Sequence, residues 1–343
     1  MTAIAEHPHT DVVDADPALS VDGLTVDIRT ITGTVRAVND VSFDARRGET
    51  LALLGESGCG KSMTATALVG LLEPVAEVTA GTATLTGRDG VADLLAVDRK
   101  TRRKLAGTEL AIVFQDALTA LNPLYTVGTQ LAEPFRIHHG MKSKEAKAKA
   151  VELMARVGIP QPETRLNSYP HQFSGGMRQR LLIAMAVALN PRVLIADEPT
   201  TALDVTVQAQ IMALLRSLRS EYDMAVVLIT HDLALVAEEA DRVAVMYAGN
   251  IVETGLVSEV FANPRHPYTK GLLDSVPVNA VRGDELKSIG GSPPDLHSIP
   301  QGCAYQARCP LVQDVCRTSR PPSNSVGSRH LSACHFPQEV VNV

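Results

Sequence analysis

The sequence has no long apolar run and no excess of basic residues. No apolar segment approaches the ~20 residues that a membrane-spanning helix needs, and the longest, Leu181 to Leu189, is expected to form a buried core helix. The net charge of −6 argues against a protein that mainly grips nucleic acid. The stretch from Met1 to Pro17 is acidic and lacks the features of a signal peptide, so residues 1–18 are expected to form a disordered tail. These absences predict a soluble, cytoplasmic protein.

A phosphate-binding loop is the strongest motif in the chain. An apolar strand at residues 50–54 is followed by Gly55-Glu56-Ser57-Gly58-Cys59-Gly60-Lys61-Ser62 and a helix that begins near Lys61. The glycines let backbone N–H groups turn around a polyphosphate, and the helix N-terminus adds partial positive charge. Lys61 can reach the phosphates and Ser62 can ligate Mg²⁺. A glycine-rich turn without function is the alternative, but the complete motif predicts nucleoside triphosphate binding.

Polar residues follow three further strands in a repeating strand–helix order. That order predicts a mostly parallel α/β sheet, preceded by a small antiparallel sheet. Asp197 fits a Mg²⁺ ligand, and Glu198 fits the general base that activates water. Gln115 could contact Mg²⁺ and the water, and His231 could orient the γ-phosphate. Taken singly, these residues could instead start a turn, lie at the surface or make a core hydrogen bond.

A second anion-binding device is predicted at Ser174-Gly175-Gly176, where a helix begins. Its backbone N–H groups and helix dipole repeat the physics of the phosphate loop. One chain that binds one nucleotide does not need two such devices. The second device therefore suggests contact with a nucleotide bound to another subunit.

The order of these motifs resembles that of an ABC ATPase. The resemblance covers the Walker A loop, Q-loop, signature, Walker B, D-loop (Ala202-Leu203-Asp204) and H-loop. It implies a P-loop NTPase fold at residues 19–262, with an antiparallel β subdomain and a helical subdomain at about residues 116–190. Two such domains would meet head to tail. Residues implied to bind ATP are Gly55, Glu56, Ser57, Gly58, Cys59, Gly60, Lys61, Ser62, Met63 and Asp197; those implied to act in trans are Ser174, Gly175, Gly176 and Asp204.

Within that family, the chain resembles the oligopeptide/dipeptide importers. The resemblance rests on Phe173-Ser-Gly-Gly-Met177, Asp116 to Tyr125, Asn263 to Thr269 and a cysteine-bearing tail. It implies an ATP-hydrolysing subunit at the cytoplasmic face of the cell membrane. The implied partners are a second ATPase, two permeases and an extracytoplasmic binding protein, with no nucleic acid.

Two rival functions and two departures from the family pattern remain open at this point. Nickel or another small solute could be the cargo, and a soluble ABC ATPase acting on DNA or ribosomes is a further alternative. The latter class typically has a coiled-coil insertion or a second ATPase domain, and this chain shows neither. No aromatic residue occurs at Asp27 to Ile31 to stack on adenine, and Met177 replaces the usual signature glutamine.

Four of the five cysteines lie in a C-terminal extension at residues 263–343: Cys303, Cys309, Cys316 and Cys334. So small a segment needs a staple, and four thiolates suit a zinc ion or an iron–sulfur cluster. The spacings lack the Cys-x-x-Cys pairs usual in zinc sites. The resemblance implies a [4Fe–4S] cluster, with zinc or free thiols without metal as alternatives. A separate hypothesis makes the tail a redox or metal sensor that uses ATP. His330 and His335 are expected to be solvated.

Overall fold

A computed structural model of the chain describes residues 16–116, 120–201, 203–275 and 288–340. Its strands are β1 (Leu19–Thr30), β2 (Gly33–Ala45), β3 (Thr50–Leu54), β4 (Ala76–Gly87), β5 (Gly90–Asp93), β6 (Leu110–Val113), β7 (Val193–Asp197), β8 (Ala225–Thr230), β9 (Arg242–Tyr247), β10 (Asn250–Leu256), β11 (Asn324–Ser325) and β12 (Leu331–Ser332). The helices within these ranges are α1 (Lys61–Val69), α2 (Arg99–Leu105), α3 (Val127–His139), α4 (Ser143–Arg156), α5 (Pro162–Arg165), α6 (Gly175–Val187), α7 (Val205–Tyr222), α8 (Leu233–Glu239), α9 (Val257–Ala262), α10 (Pro267–Asp274) and α11 (Asp314–Thr318).

The larger sheet has the strand order β11-β12-β10-β9-β3-β8-β7-β6. Strand β3 pairs in parallel with β8 and β9, and β7 pairs in parallel with β8 and β6. Every residue of β3, β7 and β8 is buried, as expected of parallel strands covered on both faces. The predicted parallel core is confirmed, and the carboxyl ends of five neighbouring strands, β9, β3, β8, β7 and β6, meet at one edge.

A second, antiparallel sheet has the order β2-β1-β4-β5, as predicted from the alternating pattern near the start of the chain. Helices α3, α4 and α6 form a separate layer with its own apolar core, built on Leu131, Phe135, Met154 and Leu181. The sequence suggests Ser143 as the cap of α4, but the cap is Lys142 and Ser143 is the first helical residue. The side chain of Glu145 accepts from the Lys142 backbone N–H and so completes this cap.

The C-terminal extension packs onto the end of the larger sheet, because β12 pairs antiparallel with β10. The sequence also favours a helix over Pro267 to Val276; α10 begins at Pro267 and ends at Asp274, and Val276 lies outside the described residues. The expectation that His330 is solvated is wrong: it is buried, and its Nε2 lies 2.7 Å from Glu253 Oε1. Across the parts of the chain that the structure describes, no helix combines the length and apolar character needed to cross a bilayer.

Candidate nucleotide site

The phosphate loop between β3 and α1 depends on glycine at two close approaches. Gly60 has φ 106°, and a Cβ there would lie 2.6 Å from the carbonyl oxygen of Ala37. A Cβ at Gly55 would lie 2.3 Å from the carbonyl oxygen of Met246. Larger residues would force the loop away from both neighbours, so the glycines fix its path as well as permitting it.

Lys61 is drawn across the loop rather than extended into solvent. Its Nζ donates to the carbonyl oxygens of Gly55 at 2.8 Å and Glu56 at 3.0 Å, and only 5% of the residue is exposed. The neighbouring Cys59 is buried, which raises the pKa of its thiol and keeps it neutral. Ser57, Gly58 and Ser62 are exposed. The exposed part of the loop is therefore accessible to an anion, with the Lys61 ammonium held inside the loop.

Ser62 and Asp197 form the contact that joins the loop to β7. The Ser62 hydroxyl donates to Asp197 Oδ1 at 3.1 Å. Burial raises the pKa of Asp197, and the negative charge of Glu198 adds to that effect, while Ser62 and Lys61 oppose it. A cation beside this carboxylate would relieve the cost of burying its charge. A hydroxyl and a carboxylate oxygen are also ligands that Mg²⁺ prefers.

Glu198 gathers three side chains at the strand ends. Its carboxylate accepts from Gln115 Nε2 at 2.7 Å and from Thr201 Oγ1 at 2.8 Å, and it lies 2.9 Å from His231 Nδ1. Burial raises the pKa of Glu198, but the hydrogen bonds from His231 and Thr201 and the nearby positive charges outweigh it, so the pKa is lowered. Glu198 therefore stays ionised at neutral pH, as a general base must.

The backbone at Glu198 is strained. Thr201, which contacts Glu198, is a residue that sequence reasoning missed. Glu198 has φ 44°, a region that residues other than glycine seldom occupy and that recurs at functional sites. Thr201 was not singled out, although a hydroxyl three residues after a turn-forming glutamate is a signal that could have found it. Gln115, Glu198 and His231 are thus brought together as the sequence predicted.

Glu56, one of the residues expected to contact ATP, is paired with the C-terminal extension in this structure. Its backbone N–H donates to the Tyr268 hydroxyl at 2.9 Å, and its carboxylate accepts two hydrogen bonds from Arg308. Both groups are directed toward the C-terminal extension and are already paired. Sequence reasoning missed both partners, because contacts across more than 200 residues leave no local pattern.

The signature residues lie on α6, in the separate helical layer. Ser174 is the N-cap of α6, where its Oγ accepts from the Met177 N–H at 3.4 Å, and Asp204 caps α7 by accepting from the Val207 N–H at 2.9 Å. A Cβ on Gly176 would lie 2.6 Å from Val207, so the two helix starts pack closely. Ser174, Gly175 and Asp204 are exposed. Ala202 of the predicted D-loop lies outside the described residues.

The segment expected to face adenine offers little to stack on a base. Ile28 is half-buried, Arg29 pairs with Glu77, and Ile31 is fully exposed at the turn between β1 and β2. Ile31 is therefore the exposed hydrophobic side chain of this segment.

All four C-terminal cysteines line one small cavity, together with Tyr305 and His266. Burial raises the pKa of Cys303, that of Cys309 to about 11 and that of Cys334 to about 12. Such thiols stay protonated unless a cation compensates the thiolate charge. Within the described ranges, no three His, Cys, Asp or Glu side chains form a group that could hold a single metal ion.

The sheet, the phosphate loop and the Ser62–Asp197 and Glu198 contacts define an ATP-binding cassette, which binds and hydrolyses ATP. The chain belongs to the ABC transporter family, in the group that carries the oligopeptide/dipeptide C-terminal region. Residues 38–201 match the family model described as ABC transporter, and residues 252–316 match the model described as oligopeptide/dipeptide transporter, C-terminal region.

Named relatives and solved structures agree with this assignment. The chain is 49% identical to the dipeptide transport ATP-binding protein DppD of Bacillus subtilis, covering 93% of this chain and 94% of the relative. It is 46% identical to DppD of Escherichia coli, covering 93% and 96%. Its fold is similar to the dimeric bacterial ABC transporter cassette MJ0796 (TM-score 0.61, 27% identity, 70% of this chain and 98% of that one). It is also similar to cbiO1 of Clostridium perfringens (TM-score 0.59, 28% identity, 72% and 91%).

Proposed function

We propose that this chain powers an importer of dipeptides or oligopeptides by hydrolysing ATP at the site built on β3, β7 and β8. Lys61 and the loop N–H groups bind the phosphates, and Ser62 with Asp197 hold Mg²⁺. Glu198 takes a proton from the attacking water, while Gln115 helps to place that water and Mg²⁺. His231 orients Glu198 and the γ-phosphate.

The observation that carries this proposal is the set of three hydrogen bonds around Glu198. Gln115, Thr201 and His231 hold an ionised carboxylate one residue beyond Asp197. A general base works only when its oxygen is fixed toward the water that it activates. Contacts from three separate chain segments supply that fixation.

A Glu198→Gln variant tests the catalytic assignment. The amide keeps the shape of the side chain but cannot take a proton, so turnover should fall by about a hundredfold or more while ATP still binds. Steady-state phosphate release and equilibrium ATP binding would be measured side by side. Glu73→Gln, at an exposed glutamate, is the matched control and should keep normal turnover. Normal hydrolysis in the Glu198 variant would contradict the proposal.

The signature residues serve a nucleotide bound to a second ATPase subunit. Support comes from the exposed Ser174 and Gly175, which stand at the start of a helix with their N–H groups available to an anion. A solved neighbour is described as dimeric. A Ser174→Arg change should block ATP-dependent association with the partner ATPase, detected by size-exclusion chromatography, while ATP binding by the separate chain is retained.

The peptide cargo is inferred from the named relatives and from the C-terminal region at residues 252–316. The complete transporter would add two membrane permeases, a second ATPase and an extracytoplasmic binding protein, and this chain would lie at the cytoplasmic face of the membrane. Uptake of labelled dipeptide, of labelled oligopeptide and of nickel by cells with and without the gene distinguishes the cargoes. Loss of nickel uptake alone would replace the peptide assignment.

The four cysteines of the extension would hold a [4Fe–4S] cluster, which fits a cavity lined by four thiols. When bound, the cluster would brace a segment with little core of its own. Zinc is the weaker candidate because a single zinc ion needs its sulfur ligands at about 2.3 Å. Within the described residues, no three such side chains form a group that could hold one ion. Anaerobic purification followed by iron, sulfide and zinc analysis distinguishes the cluster from zinc. About four irons and four sulfides are expected per chain.

A further inference from the structure

Arg308, in the C-terminal extension, reaches into the phosphate loop of the ATPase. Its Nη1 donates to Glu56 Oε2 at 2.9 Å and its Nη2 to Glu56 Oε1 at 3.1 Å. This paired geometry is the strongest form of an arginine–carboxylate contact. The two residues are separated by 252 positions, so the contact joins the first motif of the ATP site to the extension.

Contacts other than the one with Glu56 also hold the Arg308 guanidinium in place. Only 4% of its side chain is exposed, and its Nε donates to the carbonyl oxygen of Gly290 at 2.9 Å. It also lies 5.8 Å from the ring centres of Tyr247 and Tyr305. A surface ion pair loses much of its strength to side-chain freedom and solvent, whereas this one is largely fixed and shielded.

The backbone of Glu56 is hydrogen-bonded to the extension, as its carboxylate is. The Tyr268 hydroxyl accepts from the Glu56 N–H at 2.9 Å, and the ring of Tyr268 packs against those of Tyr247 and Tyr305. On the other side, the Glu56 carbonyl oxygen accepts from Lys61 Nζ. Glu56 therefore lies between the extension and the lysine that is proposed to bind phosphate.

A free Glu56 carboxylate would harm ATP binding in two ways. It would place a negative charge beside a site that must accept a triphosphate, and charges that face each other at short range repel strongly. It would also release the start of the loop, whose N–H groups must be aligned before the phosphates arrive. Arg308 opposes both effects by neutralising the carboxylate and holding it away from the loop interior.

We propose that Arg308 is a positioning residue for ATP: it acts through Glu56 to neutralise and align the phosphate loop, so that the C-terminal extension forms part of the ATP site. This inference rests on the proposed ATP site, but it concerns affinity rather than bond cleavage. Binding by the unaltered chain tests the site itself, and the variants below test Arg308 alone.

The test measures MgADP binding by calorimetry, and kcat and KM for ATP, on the full-length chain. Arg308→Ala should weaken MgADP binding and raise KM about tenfold, corresponding to about 1.4 kcal/mol, with kcat changed much less. Glu56→Gln removes the negative charge together with the paired contact, so it should weaken binding, but less than Arg308→Ala does. Adding Glu56→Gln to Arg308→Ala should restore part of the lost affinity, because the unpaired carboxylate is gone although the paired contact that aligns the loop is still missing.

Two further variants keep the result interpretable. Arg317→Ala removes an exposed arginine that, like Arg308, is next to a cysteine of the cavity, and it should leave affinity unchanged. Arg308→Lys keeps the charge without the paired geometry, so its affinity should be intermediate; it also replaces Arg308→Ala if that variant fails to fold. Unchanged affinity in Arg308→Ala, or equal weakness with and without Glu56→Gln, would overturn the proposal.

Discussion

His231 Nδ1 lies 2.9 Å from Glu198 Oε1, so the histidine at the end of β8 contacts the carboxylate at the end of β7. The sequence predicted that His231 would contact the γ-phosphate, and the structure adds a direct partner within the protein. A single imidazole can serve both roles because its two nitrogens point in different directions. One nitrogen holds Glu198 while the other remains available to a ligand.

Replacing His231 with alanine is therefore expected to impair chemistry more than binding. Glu198 would lose one of its three partners, and kcat should fall by about a hundredfold with a small change in KM. Steady-state ATP hydrolysis over a range of ATP concentrations separates the two constants. His297→Ala, at a histidine in the extension, is the control. A KM increase without a kcat decrease would contradict the positioning of Glu198 by His231.

Thr201 should contribute to the same alignment to a smaller degree. Thr201→Val removes the hydroxyl that donates to Glu198 Oε2 and keeps the branched shape. We expect kcat to fall about fivefold to tenfold, in line with the loss of one hydrogen bond to a charged group. Single-turnover hydrolysis at saturating ATP gives the chemical rate directly. An unchanged single-turnover rate would show that Gln115 and His231 fix Glu198 without Thr201.

The parts of the site that sequence could predict are those carried by short motifs. The phosphate loop, Gln115, Asp197, Glu198 and His231 each follow an apolar strand, and parallel strands bring their carboxyl ends to one edge. Local spacing therefore sufficed to place these residues together. The same reasoning gave the parallel core, because buried parallel strands are recognisable as apolar runs.

The parts that sequence could not predict depend on contacts between distant segments. Nothing near Glu56 indicates that Arg308 will neutralise it, and nothing near His330 indicates that β12 will carry it to Glu253. Histidine is common at surfaces, so a solvated His330 was a reasonable expectation that packing overturned. The cap of α4 was missed for a different reason. Ser143 is a residue type that commonly caps helices, whereas the actual cap, Lys142, is not.

Acidification should weaken Mg²⁺ binding through protonation of Asp197. Burial raises the pKa of Asp197 above its ordinary value of 3.8, while its hydrogen bonds and nearby positive charges lower that of Glu198 below 4.5. A ligand carboxylate must lose its proton to bind a cation. As pH falls, Asp197 therefore takes up a proton at a higher pH than an ordinary aspartate does, and the Mg²⁺ dissociation constant should rise over that range.

Mg²⁺ titrations of the ADP complex at successive pH values measure how the Mg²⁺ dissociation constant depends on pH. Asp197→Asn should bind Mg²⁺ weakly at every pH and remove the acid-dependent part of the curve. The free-nucleotide phosphates also titrate, so a pH series on Mg²⁺ and ADP without protein is subtracted. A dissociation constant that follows only the nucleotide would contradict the assignment to Asp197.

Glu253 should anchor the C-terminal extension to the core. It is 1% exposed, and its carboxylate accepts from the backbone N–H groups of Arg265 and His266 and contacts His330 Nε2. Glu253→Ala would leave three buried polar groups without a partner, so we expect a loss of about 3–5 kcal/mol in unfolding free energy. His330→Ala leaves Glu253 with two donors and should cost about 1–2 kcal/mol.

Urea unfolding of both variants measures these changes in unfolding free energy. The control is Glu339→Ala, at an exposed site of the extension. The predicted order matters more than either value, because it follows from the number of groups left unpaired. A His330 variant less stable than the Glu253 variant would indicate that the pair is held mainly by the histidine. It would also remove the argument that Glu253 joins β10, the start of α10 and β12 through a single carboxylate.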